Sequence, residues 1–217
     1  MNLSYTNDPF PHIIGELDQD LYNSVLENMN NVVHKNYSEV SGNRSNIPLE
    51  NKELFSKISK IMMDCYDNFG LDYVKQYPKL LEVEGVSLKP RILYSENKPT
   101  DTEYKIRGLH LDTGDKFLIG LWYFKHPDEP DDTGGDLFLL NPETKKHKKI
   151  KYKSNCFVIF PNLMTAWHSV TPRKPCKFPR RYVNLLLEST DTTLHNYRRA
   201  GLSVDDEFRG KLINYYK

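Results

Sequence analysis

Apolar residues in the first third of the chain recur every three or four positions, which is the spacing of one face of an amphipathic helix. The first such stripe consists of Leu17, Leu21, Val25 and Met29. A second stripe predicts a helix over residues 50–69. We expect Gly70 to end that helix, because glycine adopts the left-handed conformation of a helix C-cap most easily. The segment VSGNRSNIP between the two helices is rich in turn residues and predicts a linker.

The pattern changes near residue 83, where short strand-like runs begin to alternate with turn clusters. Eight runs follow: LKPRILYSE, IRGLHLD, FLIGLWYFK, DLFLLNP, HKKIKY, CFVIFPN, AWHSVTP and RRYVNLLLE. They are too short and too close together for βα units, so they predict an antiparallel sandwich or barrel. The prediction is a single α+β domain in which N-terminal helices (1–82) support a β core (83–190). A polar tail (191–217) follows, with one short helix expected near residues 204–215.

Composition narrows the class of protein without naming a function. The 30 Lys and Arg residues balance 29 Asp and Glu residues, and this disfavours nucleic-acid binding, which needs a basic excess or patch. The three cysteines form no CxxC motif, so neither a disulfide framework nor a zinc knuckle is expected. No run approaches about 18 apolar residues, and the N-terminus has no signal-peptide pattern. A cytoplasmic domain without a membrane partner is therefore expected, while the oligomeric state stays open.

A histidine and a carboxylate in GLHLDTGDK are the first candidates for chemistry. His110 and Asp112 are separated by one residue, so on a strand both side chains point to the same face. Taken alone, the pair would also fit a purely structural hydrogen bond. A second pair, His126 and Asp128, lies in KHPDEPDDTGG, where proline and glycine predict a solvated turn instead.

Two further features make the first pair more informative. His168 follows in NLMTAWHSVTP, at the edge of another predicted strand, and completes a set of two histidines and one carboxylate. Such a set occupies one face of an octahedral metal and leaves positions open, as in non-haem Fe(II) oxygenases. The last strand begins with Arg180 and Arg181, and an arginine on an apolar strand is costly unless it meets an anion. Only one of the two points inward on a pleated strand.

These motifs resemble the 2-oxoglutarate/Fe(II)-dependent dioxygenase superfamily, and in particular its prolyl 4-hydroxylase-like branch. The resemblance covers residues 88–188 and consists of HLD, then WHSV, then RRYV, in that order. The runs GLWYFK and TGGDLFLL are similar to an aromatic strand and a Gly-Gly turn of that branch, and PFPHIIGELDQD is similar to the strand and helix that open many of its members. The resemblance implies a double-stranded β-helix (jelly roll) core with the N-terminal helices packed on one sheet.

The resemblance also implies a metal and a cosubstrate. The implied ligands of Fe(II) are His110, Asp112 and His168. The open metal positions would take the 1-carboxylate and 2-oxo group of 2-oxoglutarate and then O₂, with ascorbate as an optional addition to the cofactors.

The same resemblance suggests which side chains bind the cosubstrate. In relatives the arginine that binds 2-oxoglutarate often precedes an aromatic residue, which favours Arg181 before Tyr182. The insert RKPCKFP lengthens the gap from the distal histidine, so Arg180 stays open. Tyr123 resembles the tyrosine that reaches the distal carboxylate of 2-oxoglutarate, and Tyr94 resembles one that lies near the cosubstrate.

The substrate is where these hypotheses diverge. The first is hydroxylation of a peptidyl or free amino acid, with proline foremost, and the second is the same chemistry on a sugar, a lipid or a natural-product intermediate. The third is a non-catalytic, cupin-like module that binds a metal without turnover. A buried arginine one strand after the distal histidine favours an enzyme, because a binding module has no need of it. The expected partner is a peptide or small-molecule substrate, and nucleic-acid repair is disfavoured by the balanced charge.

Overall fold

The computed structural model describes residues 1–39, 43–76, 88–104 and 106–189. Within these residues lie two helices, α1 (Gln19–Asn30) and α2 (Lys52–Gln76). The strands are β1 (Asn2–Thr6), β2 (His12–Glu16), β3 (Arg44–Pro48), β4 (Leu88–Asn97), β5 (Arg107–His110), β6 (Lys116–Tyr123), β7 (Leu137–Leu140), β8 (His147–Ile150), β9 (Cys156–Pro161), β10 (Trp167–Val170) and β11 (Arg180–Ser189). The polar tail, with the short helix expected near residues 204–215, lies outside the described residues.

The described strands form two antiparallel sheets. The larger sheet has the order β1-β2-β9-β6-β11-β4-β3, and the smaller one has the order β5-β10-β7-β8. Each of the eight strand-like runs contains one strand, β4 to β11, so the prediction of an antiparallel β core is confirmed. Buried residues of both sheets belong to one hydrophobic cluster, as in a two-layer sandwich.

The centre of the larger sheet is its most apolar part. The whole of β9, CFVIFP, is buried, and β11 lies between β6 and β4 with its YVNLLL run buried as well. Strands that are covered on both faces show continuous apolar runs rather than alternation. The register of β11 with its two neighbours therefore fixes which side chains face the space between the sheets.

Both helices begin at side-chain caps. The Asp18 carboxylate accepts hydrogen bonds from two backbone N–H groups in the first turn of α1, and Asn51 does the same for α2. Helix α2 continues to Gln76, so the expectation that Gly70 ends this helix is wrong. A glycine inside a helix costs only about 1 kcal/mol relative to alanine, and continued hydrogen bonding along the following residues outweighs that cost.

Aromatic contacts join the helices to the larger sheet. Tyr22 of α1 stacks on Phe124 with 4.7 Å between ring centroids, and meets Trp122 edge-on at 6.0 Å. Tyr66 of α2 meets Phe117 edge-on at 6.5 Å. The helices thus cover one face of this sheet and leave the other face to the smaller sheet.

Three strands lie within residues 1–82, where the pattern predicted helical support, and of these β2 falls in PFPHIIGELDQD, for which the resemblance implied a strand. Strands β1 and β2 pair with each other and add to β9, while β3 adds to β4 at the opposite edge of the sheet. The sequence of β3 is RSNIP, whose first three residues have no strand preference. Pairing with β4 makes this segment a strand, and only the tertiary structure supplies that partner.

The described residues include all three cysteines and two helices. All three cysteines are free thiols. None of the described helices is both long and apolar enough to cross a membrane.

Candidate active site

Two neighbouring strands bring His110, Asp112 and His168 together. Strand β5 ends at His110 and pairs with β10, where His168 lies directly opposite it in the register. Asp112 lies just beyond the end of β5. Its carboxylate oxygens lie 3.9 Å from His110 Nε2 and 3.7 Å from His168 Nε2. All three prospective ligand atoms lie within 4.8 Å of one another, so the structure places the three predicted residues in one group.

Backbone carbonyl groups orient both imidazoles. His110 Nδ1 lies 2.8 Å from the carbonyl oxygen of Gly108, and His168 Nδ1 lies 3.2 Å from that of Ala166. An Nδ1–H that donates to a carbonyl leaves Nε2 unprotonated, and in both histidines Nε2 is the nitrogen that faces Asp112. This tautomer presents two nitrogen lone pairs and a carboxylate to the same point.

The surroundings favour neutral imidazoles beside an ionised carboxylate. Burial lowers the pKa of His110 to about 3, and the neighbouring His168 and Arg107 add to this shift. Burial also lowers the pKa of His168. Burial alone would raise the pKa of Asp112, but the surrounding His168, Lys116 and His110 lower it further than burial raises it. Lys116 Nζ lies 3.1 Å from the Asp112 carboxylate. Metal ligands need these protonation states at neutral pH.

This set of donors fits an Fe(II) ion. Two neutral imidazole nitrogens and one carboxylate oxygen suit divalent iron, and three ligands on one side leave open coordination positions. The pocket above them is lined by strands of both sheets. Its apolar wall includes Ile119, Leu121, Leu137, Phe160 and Leu186. A metal held by the triad would therefore face a pocket with a partly apolar lining.

Arg180 is a buried cation in the same pocket. The residue is only 1% exposed, and its guanidinium carbon lies over three tyrosine rings, the nearest being Tyr182 at 4.6 Å. Its Nε donates to the Gly135 carbonyl at 2.8 Å, Nη1 to Asn97 Oδ1 at 3.3 Å and Nη2 to the Tyr123 hydroxyl at 3.1 Å. None of its partners among the described residues is a carboxylate. Cation–π contacts offset part of the cost of burying this charge, and an anionic ligand would offset the rest.

The pleat of β11 decides which arginine reaches the pocket. The residues of β11 that line the pocket are the even-numbered ones, Arg180, Tyr182, Asn184 and Leu186. Arg181 points to the opposite face, where its Nε lies 3.3 Å from Glu96 and its Nη1 donates to Asn30 at 2.8 Å. The expectation that Arg181 binds the cosubstrate does not agree with this placement. Arg180, the alternative that the sequence left open, occupies the pocket.

The two predicted tyrosines lie on opposite faces of the larger sheet. Tyr123 is fully buried next to Arg180, and burial raises its pKa, so the hydroxyl keeps its proton. Tyr94 instead points towards α1, where its hydroxyl donates to Asn28 Oδ1 at 2.6 Å. The structure therefore does not bring Tyr94 into the pocket, since the alternation along β4 places odd-numbered residues such as Asn97 there.

A buried ion pair supports the turn that contacts Arg180. Arg173 Nη1 lies 2.9 Å from Glu129 Oε1, both side chains are fully buried, and Arg173 Nη2 also donates to the Phe178 carbonyl. Gly135 has a φ of +78°, and a Cβ at this position would lie 2.9 Å from Arg180 Cδ. Glycine is therefore required here both for the backbone conformation and for the close approach of its carbonyl to the guanidinium.

Sequence reasoning missed several polar residues of the pocket wall, among them Arg44, Asn97 and Lys116. Arg44 lies in β3, which the pattern had assigned to a linker. Asn97 ends β4, and the period of two along that strand is the one local feature that would have placed it on the pocket face. Lys116 begins β6, and only the fold brings its amine to the Asp112 carboxylate.

Comparison with known proteins is informative at the level of structure. No protein-family model and no curated protein matches the chain. The structure is similar to that of a prolyl-4-hydroxylase from Pseudomonas putida, with 14% identity and a TM-score of 0.56 over 83% of this chain and 93% of that one. It is also similar to a prolyl hydroxylase from Trichoplax adhaerens in complex with a hypoxia inducible factor oxygen degradation domain peptide fragment, with 15% identity and a TM-score of 0.54 over 92% and 89% of the two chains.

A third similar structure widens the group beyond prolyl hydroxylases. An oxidoreductase of the 2OG-Fe(II) oxygenase family from Burkholderia pseudomallei has 10% identity and a TM-score of 0.50, over 82% of this chain and 84% of that one. Likeness at such identities establishes the fold. The chain has the fold of 2-oxoglutarate/Fe(II) oxygenases, prolyl hydroxylases among them, and the resemblance inferred from the motifs is confirmed at that level.

Proposed function

We propose that the protein is an Fe(II)- and 2-oxoglutarate-dependent hydroxylase that oxidises an unactivated C–H bond of a prolyl or other amino acid residue. In the overall reaction the substrate C–H bond becomes C–OH, while 2-oxoglutarate loses CO₂ and becomes succinate. One atom of O₂ enters the product and the other enters succinate. The observation that carries the proposal is the presence of two features in one pocket: the group of His110, Asp112 and His168, and the buried cation Arg180.

The triad residues would hold the iron. The ligand atoms would be His110 Nε2, His168 Nε2 and a carboxylate oxygen of Asp112, all already oriented by the contacts described above. Iron held there, with 2-oxoglutarate and O₂, would supply the oxidising chemistry for hydroxylation of the substrate. The neutral state of both imidazoles keeps their lone pairs available, and Lys116 keeps Asp112 ionised.

Arg180 has the hydrogen-bonding capacity to bind the distal carboxylate of 2-oxoglutarate. A guanidinium carries five N–H groups, and here one on Nε, one on Nη1 and one on Nη2 are used by the protein. One N–H therefore remains on each terminal nitrogen, and such a pair accommodates a carboxylate end-on. The Tyr123 hydroxyl accepts from Arg180 and retains its own proton, which it can donate to the same carboxylate.

The preference for an amino acid substrate rests on the fold shared with prolyl hydroxylases, one of which is in complex with a peptide fragment. The same chemistry on a sugar, a lipid or a natural-product intermediate uses the same triad and arginine. A metal-binding module without turnover would share the triad but would have no use for Arg180. The presence of Arg180 therefore favours an oxygenase over a binding module. Experiment is needed to identify the substrate.

An anaerobic spectrum followed by exposure to O₂ tests the proposal. Addition of Fe(II) and 2-oxoglutarate should produce a weak visible metal-to-ligand charge-transfer band, and O₂ should then yield succinate. We expect His110→Ala and Asp112→Ala each to abolish the band and the succinate, while His126→Ala, in an exposed loop, should retain both. Absence of the band and of succinate in the wild-type protein, or full activity of either triad variant, would refute the proposal. Mass spectrometry for gain of one oxygen atom in proline peptides, free amino acids and cell extract would then identify the substrate.

A further inference from the structure

The pocket is strongly cationic for a chain whose overall charge is nearly balanced. Its lining contains one carboxylate, Asp112, and five cationic side chains. The five are Arg44, Arg91, Arg107, Lys116 and Arg180. A divalent iron and the two carboxylates of 2-oxoglutarate cancel each other in charge, so loading the site would leave this excess in place. The excess is therefore available to the primary substrate.

Most of these cations have an anionic partner. Lys116 and Arg107 lie 3.1 Å and 3.7 Å from the Asp112 carboxylate, and Arg91 lies 3.3 Å from Glu188. Arg180 is the side chain to which the proposed function assigns the distal carboxylate of 2-oxoglutarate.

Among the described residues, Arg44 is the pocket cation that has neither an anionic partner nor a proposed role in cosubstrate binding. Across the described part of the chain its guanidinium has no carboxylate within ion-pair distance, and its Nε is buried without a hydrogen-bond partner. A buried donor without an acceptor costs roughly 1–3 kcal/mol unless a ligand or water supplies one. The side chain is half-buried and lines the pocket, so a ligand in the pocket can reach it.

The register of the larger sheet locates Arg44 relative to the cosubstrate arginine. Asn97 of β4 lies opposite Arg44 of β3 on one side and opposite Arg180 of β11 on the other. The two arginines are thus in one row across three strands, on the same face, with about 10 Å between their backbones. That separation gives room for two carboxylates, one at each arginine. It also places Arg44 at the edge of the sheet, where an incoming ligand has access.

We propose that Arg44 binds a carboxylate of the primary substrate, so that the enzyme selects an anionic substrate. This inference rests on the proposed function and narrows its substrate class. The carboxylate comes either from the backbone of a free amino acid or from an acidic side chain of a peptide, since a guanidinium binds both in the same way. Arg107 strengthens the positive field at the pocket mouth and increases the rate of capture.

Matched substrates that differ only in charge test the inference. Succinate formation above the uncoupled rate would be measured with the free amino acids and with their amides, and with proline-containing peptide pools of acidic, neutral and basic composition. We expect stimulation by carboxylate-bearing compounds and little by their amides. Free amino acids and the acidic peptide pool distinguish the two sources of the carboxylate. Equilibrium binding of the best compound to protein loaded with Mn(II) and 2-oxoglutarate under argon gives a readout independent of turnover.

Variants of Arg44 link this preference to one side chain. Arg44→Gln should raise KM for the anionic substrate roughly tenfold to a hundredfold, the range of one or two charge-assisted hydrogen bonds, with a much smaller effect on kcat. Arg44→Lys should lie between the wild type and Arg44→Gln. The control Lys57→Gln removes one charge from the exposed surface of α2 and should leave KM unchanged. Circular dichroism and the anaerobic visible band check that each variant is folded and binds metal.

The outcomes separate this inference from the proposed function. Absence of the visible band and of uncoupled succinate in the wild type would overturn the proposed function, and the inference with it. A normal band with stimulation that does not depend on substrate charge would overturn only the inference. So would an Arg44→Gln variant in which KM for 2-oxoglutarate rises more than KM for the substrate, because Arg44 would then belong to the cosubstrate site.

Discussion

Separate replacement of Arg180 and Arg181 would show on which face of β11 the cosubstrate binds. In Arg180→Gln the pocket loses a guanidinium with one free N–H on each terminal nitrogen. Two charge-assisted hydrogen bonds at about 1.5 kcal/mol each give about 3 kcal/mol, or roughly a hundredfold increase in the Kd of 2-oxoglutarate. Arg180→Lys keeps the charge but not the fork, and should recover only part of the affinity.

The adjacent variant provides the matched control. Arg181 pairs with Glu96 at 3.3 Å on the helix-covered face, with 31% and 11% of the two side chains exposed. Arg181→Gln should therefore lower the unfolding free energy by about 0.5–1 kcal/mol, the range of a partly exposed ion pair, and leave the Kd of 2-oxoglutarate within about twofold of the wild type.

Calorimetric titration of 2-oxoglutarate into Mn(II)-loaded protein under argon measures both effects without turnover. Metal affinity and circular dichroism of the Arg180 variants establish that a loss of binding is not a loss of folding. The assignment of Arg180 to the cosubstrate is wrong if Arg181→Gln weakens binding a hundredfold while Arg180→Gln does not. It fails equally if neither variant changes the Kd, because the distal carboxylate would then have another partner.

Three further predictions concern packing, thiols and pH. Gly135→Ala places a Cβ 2.9 Å from Arg180 Cδ at a residue with a φ of +78°. We therefore expect urea denaturation to show that the unfolding free energy falls by about 1–2 kcal/mol, and calorimetry to show weaker 2-oxoglutarate binding. An unchanged Kd would contradict this prediction. Under native conditions an aromatic disulfide reagent should modify Cys176 alone. Cys65 and Cys156 are buried, and burial raises the pKa of Cys65 to about 12 and that of Cys156 to about 11. A second fast-reacting thiol would contradict the structure. The unfolding free energy of the metal-free protein should fall as pH drops below about 6.5, because His110, with a pKa of about 3 when folded, takes up a proton only on unfolding. The expected loss is about 2 kcal/mol at pH 5. Equal unfolding free energies at pH 7 and pH 5 would refute this prediction.

The local pattern of the sequence was sufficient to predict the strands of the β core and the three residues of the triad. Strands β4 to β11 each correspond to one predicted run, because alternation and turn residues are properties of neighbouring positions. His110 and Asp112 share a face for the same reason, since a period of two needs no tertiary information. The order of motifs then indicated His168 as the third member, and the pairing of β5 with β10 places it opposite His110.

Errors arose where a local signal was weak or where a distant partner decides the local structure. The RSNIP segment becomes a strand because β4 is beside it, and α2 continues past Gly70 because the helix remains favourable beyond a residue that often ends one. Tyr94 lies on a strand, as expected, but on the face that meets Asn28 of α1. For RSNIP the competing local preference is small, about 1 kcal/mol or less, and pairing with β4 exceeds it. For α2 the cost of an internal glycine is also about 1 kcal/mol, and continued hydrogen bonding along the helix exceeds it.

The sequence by itself therefore determined the strands of the β core, their order along the chain and the residues able to form an iron site, since these depend on short-range periodicity and on side-chain chemistry. Tertiary structure alone decided that Arg180 rather than Arg181 enters the pocket, because a shift of one residue in strand register moves every side chain to the other face. It also decided the cationic pocket wall. Arg44 and Arg180 are far apart in the chain, and only the order of β3, β4 and β11 places them in one row.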